Sequence, residues 1–333
     1  MIRRRAFLRG TIAVATASAL GAKPVRGVAA EPLETGTIKL VRIPGICVAP
    51  QYIAEELLKA EGFSEVQYVS VPDGAGTYRV LASGEADMSM AFVAPFLIQV
   101  DAGSPIVMLA GVHVGCFQLV GTEKVRSIRD LNGKTVAVPG LGSAPHVFIA
   151  SMAAHVGLDP RKAIQFVAHP SADAMRLLAE GKVDAYLGFP PDPQELQARK
   201  IGHVVVNSSV DRPWSQYFCC IATGNREFVR KHPQATKRAL RAILKSTDVC
   251  ALEPARAART MVEKGFTPRY DYALQAMNGI PYNKWRAYDP EDSVRFYALR
   301  LREAGMINSI PQKIVSDGTD WRFLNELKKE LKG

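Results

Sequence analysis

Tyr78-Arg79-Val80-Leu81-Ala82-Ser83-Gly84-Glu85-Ala86-Asp87-Met88-Ser89-Met90-Ala91-Phe92 returns later in the chain as Met175-Arg176-Leu177-Leu178-Ala179-Glu180-Gly181-Lys182-Val183-Asp184-Ala185-Tyr186-Leu187-Gly188-Phe189. Arg, Leu, Ala, Gly, Asp and Phe fall at matching places, at a constant offset and without a gap. Each copy opens as a helix-like run and reaches a glycine, the residue best able to stop a helix in the left-handed conformation. An aspartate then leads a short apolar strand. Two copies at so long a spacing do not make a solenoid. Chance likeness of two amphipathic helix ends is the alternative. The reading adopted is two lobes of similar α/β design, each presenting a strand end at a comparable place, with a cleft where they meet.

The flanking chain repeats the pattern. Residues 36–43 alternate and are rich in β-branched side chains, which predicts a first strand. Pro44-Gly45 breaks it, and a loop over 46–50 leads into a helix over 51–60, with Pro50 suited to the first turn. A strand over 66–71, a turn over 72–76, the first repeat copy, a helix over 94–102 and a strand over 106–114 follow. This β-α-β alternation predicts a mostly parallel sheet with helices on its faces. After an extended apolar stretch near 116–122 the series restarts: strand 135–139, helix 146–156, strand 164–167, the second copy, and strand 203–206. A second extended stretch over 214–222 precedes a region of helical pattern to the C-terminus: 226–232, 234–252, 254–264, 269–278, 289–304 and 319–331. In the fifth of these Val294, Tyr297, Ala298 and Leu301 share a face, which predicts a cap packed on the lobes. The expected organisation is lobe 1 over 36–115 and 222–333, lobe 2 over 123–213, and hinge crossings at 116–122 and 214–221. Two strands joining two lobes form a hinge, and closure around a ligand is the natural motion.

Residues 1–30 belong to neither lobe. Arg3-Arg4-Arg5-Ala6-Phe7-Leu8-Arg9 precedes a small, weakly apolar run and Val28-Ala29-Ala30, a signal and cleavage pattern similar to that of the twin-arginine exporter. An ordinary secretory signal with an arginine-rich start is the alternative; both imply export. The apolar run falls short of the ~20 residues of a membrane span. Those thirty residues carry six basic side chains and no acid, so their removal lowers the formal charge from +10 to about +4. That surplus gives no reason to invoke nucleic acid. Cys47, Cys116, Cys219, Cys220 and Cys250 are an odd number for an exported chain and fit no zinc spacing, since adjacent Cys219 and Cys220 make poor joint ligands. Buried free thiols are expected, with a Cys116–Cys219 disulfide as a second option.

In open α/β sheets ligands bind beyond the carboxyl ends of strands. Four loops of that kind converge: 46–50, 91–95, 141–146 and 188–191. Gly140 and Gly142 let backbone approach a ligand, Ser143 can cap a helix or offer its hydroxyl, and the N–H groups of 143–146 would favour an anion by about 0.3–1 kcal/mol. A simple tight turn with a serine cap is the alternative. The sequence contains no Gly-x-Ser-x-Gly elbow, no His-Glu-x-x-His and no histidine pair at i, i+4. His146 begins a helix where it could touch a ligand. Asp87 and Asp184 precede equivalent strands, where a turn role outweighs a catalytic one. No catalytic residue, metal or cofactor is expected.

The export signal, Ile46-Cys47-Val48-Ala49-Pro50-Gln51-Tyr52, Leu81-Ala82-Ser83-Gly84-Glu85-Ala86-Asp87 and the Gly142-Ser143 helix start resemble solute-binding proteins of ABC importers, nitrate/sulfonate/taurine branch. That branch shares its fold with thiamine-pyrimidine (THI5/NMT1-like) proteins. The resemblance spans roughly 36–265. It implies a two-lobed type II periplasmic-binding fold and a periplasmic, monomeric, non-enzymatic chain. Such a chain captures a small organic solute, anionic or flat and aromatic, and delivers it to a membrane permease with its ATPase. The contacts it implies are Cys47, Val48, Ala49, Ala91, Phe92, Val93, Cys116, Gly142, Ser143, Ala144, His146, Phe189, Pro190, Gln216 and Tyr217. One departure is the lack of Arg or Lys in those loops to pair with a sulfonate or nitrate. Phe218-Cys219-Cys220 partly matches the cysteine-rich run of the fungal pyrimidine synthases, which are not exported. A pyrimidine-synthesis enzyme using Cys219 and Cys220, and a ligand sensor for a signalling receptor, are the alternatives.

Overall fold

The first strand, β1 (Thr37–Arg42), runs through a 3-10 turn (Ile46–Val48) into α1 (Ala49–Ala60). Pro50 sits in the first turn of α1, where its missing N–H has no helical acceptor to leave vacant. The computed structural model describes residues 31–71 and 76–331. The signal-like segment 1–30 and most of the turn read over 72–76 lie outside the described residues. The chain continues through β2 (Glu65–Ser70), α2 (Gly76–Ser83), β3 (Met88–Phe92), α3 (Val93–Asp101) and β4 (Ile106–Val114). Next come β5 (Gln118–Gly121), β6 (Lys134–Val138), α4 (Ala144–His155), α5 (Pro160–Ala163), β7 (Ile164–Ala168), α6 (Ser171–Ala179), β8 (Ala185–Gly188), α7 (Asp192–Ala198), β9 (His203–Asn207) and β10 (Phe218–Asn225).

These strands form two five-stranded sheets of matching design. One has the order β2-β1-β3-β10-β4 and the other β7-β6-β8-β5-β9. In each, the strand ending the repeat copy, β3 or β8, is central. It pairs in parallel with β1 or β6 on one side and antiparallel with β10 or β5 on the other. The extended stretches near 116–122 and 214–222 are therefore more than connectors. Each ends in a strand that belongs to one sheet, and β10 is eight buried residues long. Trp214–Gln216, read as extended, is a 3-10 turn. Short apolar stretches have no periodicity of their own, so only the pairing partner distinguishes a linker from a strand.

The repeated aspartate is a clamp between strands. The Asp87 carboxylate accepts from the Lys39 N–H at 2.8 Å, and that of Asp184 accepts from the Thr135 N–H at 3.0 Å. Their backbones extend the pattern. Asp87 N–H donates to the Lys39 carbonyl and Asp184 N–H to that of Thr135, while Asn225 and Thr122 donate to the two aspartate carbonyls. Gly84 at φ +82° and Gly181 at φ +65° provide the left-handed turn before each clamp.

Seven helices follow: α8 (Arg226–Lys231), α9 (Pro233–Leu252), α10 (Pro254–Glu263), α11 (Tyr270–Gly279), α12 (Pro290–Glu303), α13 (Pro311–Gly318) and α14 (Arg322–Glu330). Asn225 caps α8 by accepting from the Glu227 and Phe228 N–H groups. Val294, Tyr297, Ala298 and Leu301 are all buried on α12, which packs on α3 and α4 and so touches helices of both sheets. Its Ser293 hydroxyl accepts from the Phe218 N–H at 2.8 Å, at the start of β10. Helices α5, α7 and α13 have no counterpart in the periodicity. Each carries proline in its first turn, which reads as a loop in sequence but suits a helix start. No helix among the described residues is long and apolar enough to cross a membrane.

Candidate ligand-binding site

The carboxyl ends of the central strands of both sheets, with the helix N-termini that follow them, surround a cavity of about 380 Å³. This is within the usual size of a small-molecule site. From the first sheet it is lined by Ile43, Pro44, Cys47, Val48, Val71, Thr77, Tyr78, Ala91, Phe92 and Cys220, and from the second by Pro139, Ser143, Ala144, Pro145, Ser171, Phe189, Pro191 and Asp192. Cys116 and Phe117, between β4 and β5, complete it. Across the mouth, the Ile46 N–H donates to the Pro190 carbonyl at 3.2 Å. The crossing is tied down by Ser208, whose hydroxyl accepts from the Cys116 and Phe117 N–H groups at 3.1 and 2.9 Å.

The structure brings together Cys47, Val48, Ala91, Phe92, Cys116, Ser143, Ala144 and Phe189 of the expected contacts. Ala49 and Val93 are buried in the first turns of α1 and α3 and lie outside the lining, as do Gly142 and Pro190. His146 also stays out. Its Nδ1 accepts from the Gly142 N–H at 3.0 Å and its ring meets the edge of Phe166, so it holds the Gly140–Gly142 turn in place. Burial pushes its pKa down, consistent with a neutral acceptor. Gln216 is exposed, and Tyr217 stacks on Phe296 at 3.9 Å, away from the lining. Sequence reasoning missed Thr77, Tyr78, Ser171 and Asp192. Asp192 lies in a proline-rich run that gave no helix signal, while the helix spacing of 76–83 does not tell which face meets a cavity.

The wall is mainly aromatic and apolar. Phe117 meets Phe92 edge-on at 5.2 Å and Phe189 at 5.7 Å, and Phe92 packs against Phe148 at 4.9 Å. Polar groups are few. The Ser143 Oγ is buried without a hydrogen-bond partner, in a residue of the lining. The anion site expected at residues 143–146 is reduced by the chain itself: Pro145 has no N–H, and the Ser143 N–H donates to the Gly140 carbonyl. Among the described residues no Arg or Lys lines the cavity, whereas Asp192 does. Burial raises the Asp192 pKa, opposed by the Tyr186 hydroxyl, which donates to it, and by Ser171. The wall is therefore electrostatically suited to a hydrogen-bond donor and unsuited to an anion.

Beneath the aromatic wall lie four of the five cysteines. All five are buried free thiols, and the Cys116 and Cys219 sulfurs stand 3.4 Å apart without a bond between them. Cys250 lies elsewhere, in α9.

A model of the NMT1-like family matches residues 31–263. The chain belongs to the NMT1-like family. It is 22% identical over 256 residues to the 4-amino-5-hydroxymethyl-2-methylpyrimidine phosphate synthase THI13 of Saccharomyces cerevisiae, covering 71% of this chain and 72% of that protein. Its structure is similar to the periplasmic nitrate-binding protein NrtA of Synechocystis PCC 6803, with a TM-score of 0.72, 16% identity and 90% of each chain covered. The alkanesulfonate-binding protein SsuA of Xanthomonas axonopodis pv. citri bound to MOPS is also similar, with a TM-score of 0.70, 16% identity, and 87% of this chain and all of that one covered. At these identities the likeness establishes the periplasmic-binding-protein fold: two α/β lobes with a C-terminal helical cap.

Proposed function

We propose that this protein is the solute-binding component of an ABC importer, exported by the twin-arginine route and acting as a monomer in the periplasm. It closes on a small flat molecule and presents it to a membrane permease and its ATPase. The observation that carries the reading is the cavity itself, on which the strand ends and helix N-termini of two matched sheets converge. The fold likeness to NrtA and SsuA supports transport. The lining separates this chain from what those two names describe. Three phenylalanines suit an aromatic ring, and a half-buried carboxylate with no facing cation among the described residues disfavours nitrate and sulfonate. The ligand class is a neutral or cationic N-heterocycle whose N–H donates to Asp192 and whose acceptor receives the Ser143 hydroxyl, as an aminopyrimidine can.

A thermal-shift screen followed by calorimetry tests this, with aminopyrimidines, other N-heterocycles, nitrate, taurine, and alkyl- and arylsulfonates. A true ligand at 100 times its Kd adds about 2.7 kcal/mol of stability. Stoichiometric binding of a heterocycle without turnover is the expected result; stabilisation by the anions alone would overturn the ligand assignment. A second reading, an enzyme of pyrimidine synthesis, draws on the name of the yeast relative and on Cys220 in the cavity wall. Turnover abolished by Cys220→Ser would establish it in place of transport.

A further inference from the structure

Adjacent residues of a strand point to opposite faces, so Cys219 and Cys220 ought to diverge. They do not. The pairing of β10 with β4 shifts register between Phe218 and Cys220 and again between Cys220 and Ile221, a bulge at the start of a buried strand. Bulges re-aim side chains and concentrate beside functional sites. Here the bulge gathers both sulfurs with that of Cys116, all three within 4.8 Å of one another. A second set, Cys47, Cys116 and a ring nitrogen of His113, meets the same limit, and Cys116 is common to both.

The surroundings match a cation better than a packed core. Sulfurs around one tetrahedral zinc ion, with Zn–S of about 2.3 Å, stand roughly 3.8 Å apart; the 3.4 Å Cys116–Cys219 separation and the 4.8 Å limit bracket that value. His113 is fully buried. Its Nδ1 lies 3.2 Å from the Val114 carbonyl, and because a carbonyl only accepts, Nδ1 carries the proton. That bond fixes the tautomer as the outer partner of a metal-bound imidazole does. The His113 Nε2 is left without a hydrogen-bond partner. Softness selects the ion: three or four sulfurs and an imidazole favour d10 cations over magnesium or calcium.

We infer that the floor of the cavity is a site for one thiophilic d10 cation, Zn²⁺ or Cu⁺, held by Cys116, Cys219 and Cys220 with Cys47 or His113. Cys47, Cys116 and Cys220 also line the ligand cavity, so the ion would adjoin the bound solute. The inference stands whether the chain transports or catalyses, because it rests only on the bulge, the thiols and His113.

The test is titration of the full chain, kept reduced, with Co²⁺ and then Zn²⁺ or Cu⁺. The expected result is one equivalent of Co²⁺ giving a thiolate-to-cobalt charge-transfer band that Zn²⁺ abolishes, with a rise in Tm. Cys116→Ser should weaken binding at least 100-fold and His113→Gln about tenfold or more, while Cys250→Ser binds like the parent. Circular dichroism checks that each variant folds; if Cys116→Ser does not, Cys219→Ala carries the same expectation. The absence of a charge-transfer band in the reduced parent overturns the site. So does parental binding by the cluster variants. A chain isolated with a Cys116–Cys219 disulfide that binds no ion after reduction would make this pair a covalent tie and overturn the site equally.

Discussion

Phe92 and Phe189, the last residues of the two repeat copies, press on the same third ring, with centroids 5.2 and 5.7 Å from that of Phe117. The two differ in what else they touch. Phe92 is 3% exposed and also packs on Phe148 and Tyr297, so it is wall and core at once. Phe189 is half-buried and faces Gly45 across the mouth. Phe92→Ala should therefore cost about 3–5 kcal/mol in urea unfolding, and Phe189→Ala roughly 1 kcal/mol. Phe189→Ala should still weaken ligand binding about tenfold or more. Equal stability losses for the two would show that Phe189 is core as well.

Asp184→Ala should destabilise by about 1–2 kcal/mol, because the Thr135 N–H loses its carboxylate acceptor beside the central strand. Asp184→Asn, which keeps an acceptor oxygen, should recover most of it. Ligand affinity is expected to be the same in both. A catalytic or ligand-contacting aspartate would instead show a large change in binding with little change in unfolding midpoint.

Asp192 ties stability to pH with a defined sign. Its pKa is raised in the fold by burial, so the charged form is disfavoured there relative to the unfolded chain. The contribution is fully present below the unfolded value of about 3.9 and is lost as pH rises through the folded one. Asp192→Asn should accordingly have a higher Tm than the parent at pH 7, with the gap closing near pH 3. The same variant should bind the heterocycle at least tenfold more weakly. Tm curves that stay parallel across this range would remove the carboxylate from the argument.

The Ser293 hydroxyl joins α12 to the first residue of β10. Ser293→Ala leaves the buried Phe218 N–H without its acceptor and should cost about 1–3 kcal/mol. Ser293→Thr, which restores a hydroxyl, should recover part of it if the extra methyl is tolerated. A neutral alanine variant would mean that water or another group satisfies Phe218 and that α12 is held by apolar packing alone.

The two-sheet plan was legible because it is written in local signals: a helix run, a glycine, an aspartate and a strand, twice over. Gly84, Gly181, Asp87 and Asp184 carry that information in backbone conformation and in bonds to the neighbouring strand, which any sequence with the same pattern would repeat. The site was legible in outline. Strand-end loops gave Cys47, Ala91, Ser143 and Phe189, since the place where a strand enters a helix follows from chain order. Tyr78 and Ser171 were not reachable that way, because helix spacing does not say which face turns toward the other lobe.

Residue pattern alone determined the class of fold, the matched lobes and the strand ends at which a ligand would sit, because backbone conformation answers to residues a few positions apart. Tertiary structure decided what those strand ends form. Asp192 became a half-buried, hydrogen-bonded carboxylate only when Tyr186 and Ser171 closed on it, and His146 was turned to its own loop rather than to the cavity. Adjacent Cys219 and Cys220 came to face one point with Cys116, far away in the chain, where the pairing of β10 with β4 shifts register. Charge, burial and the aim of a side chain depend on neighbours that chain order does not name.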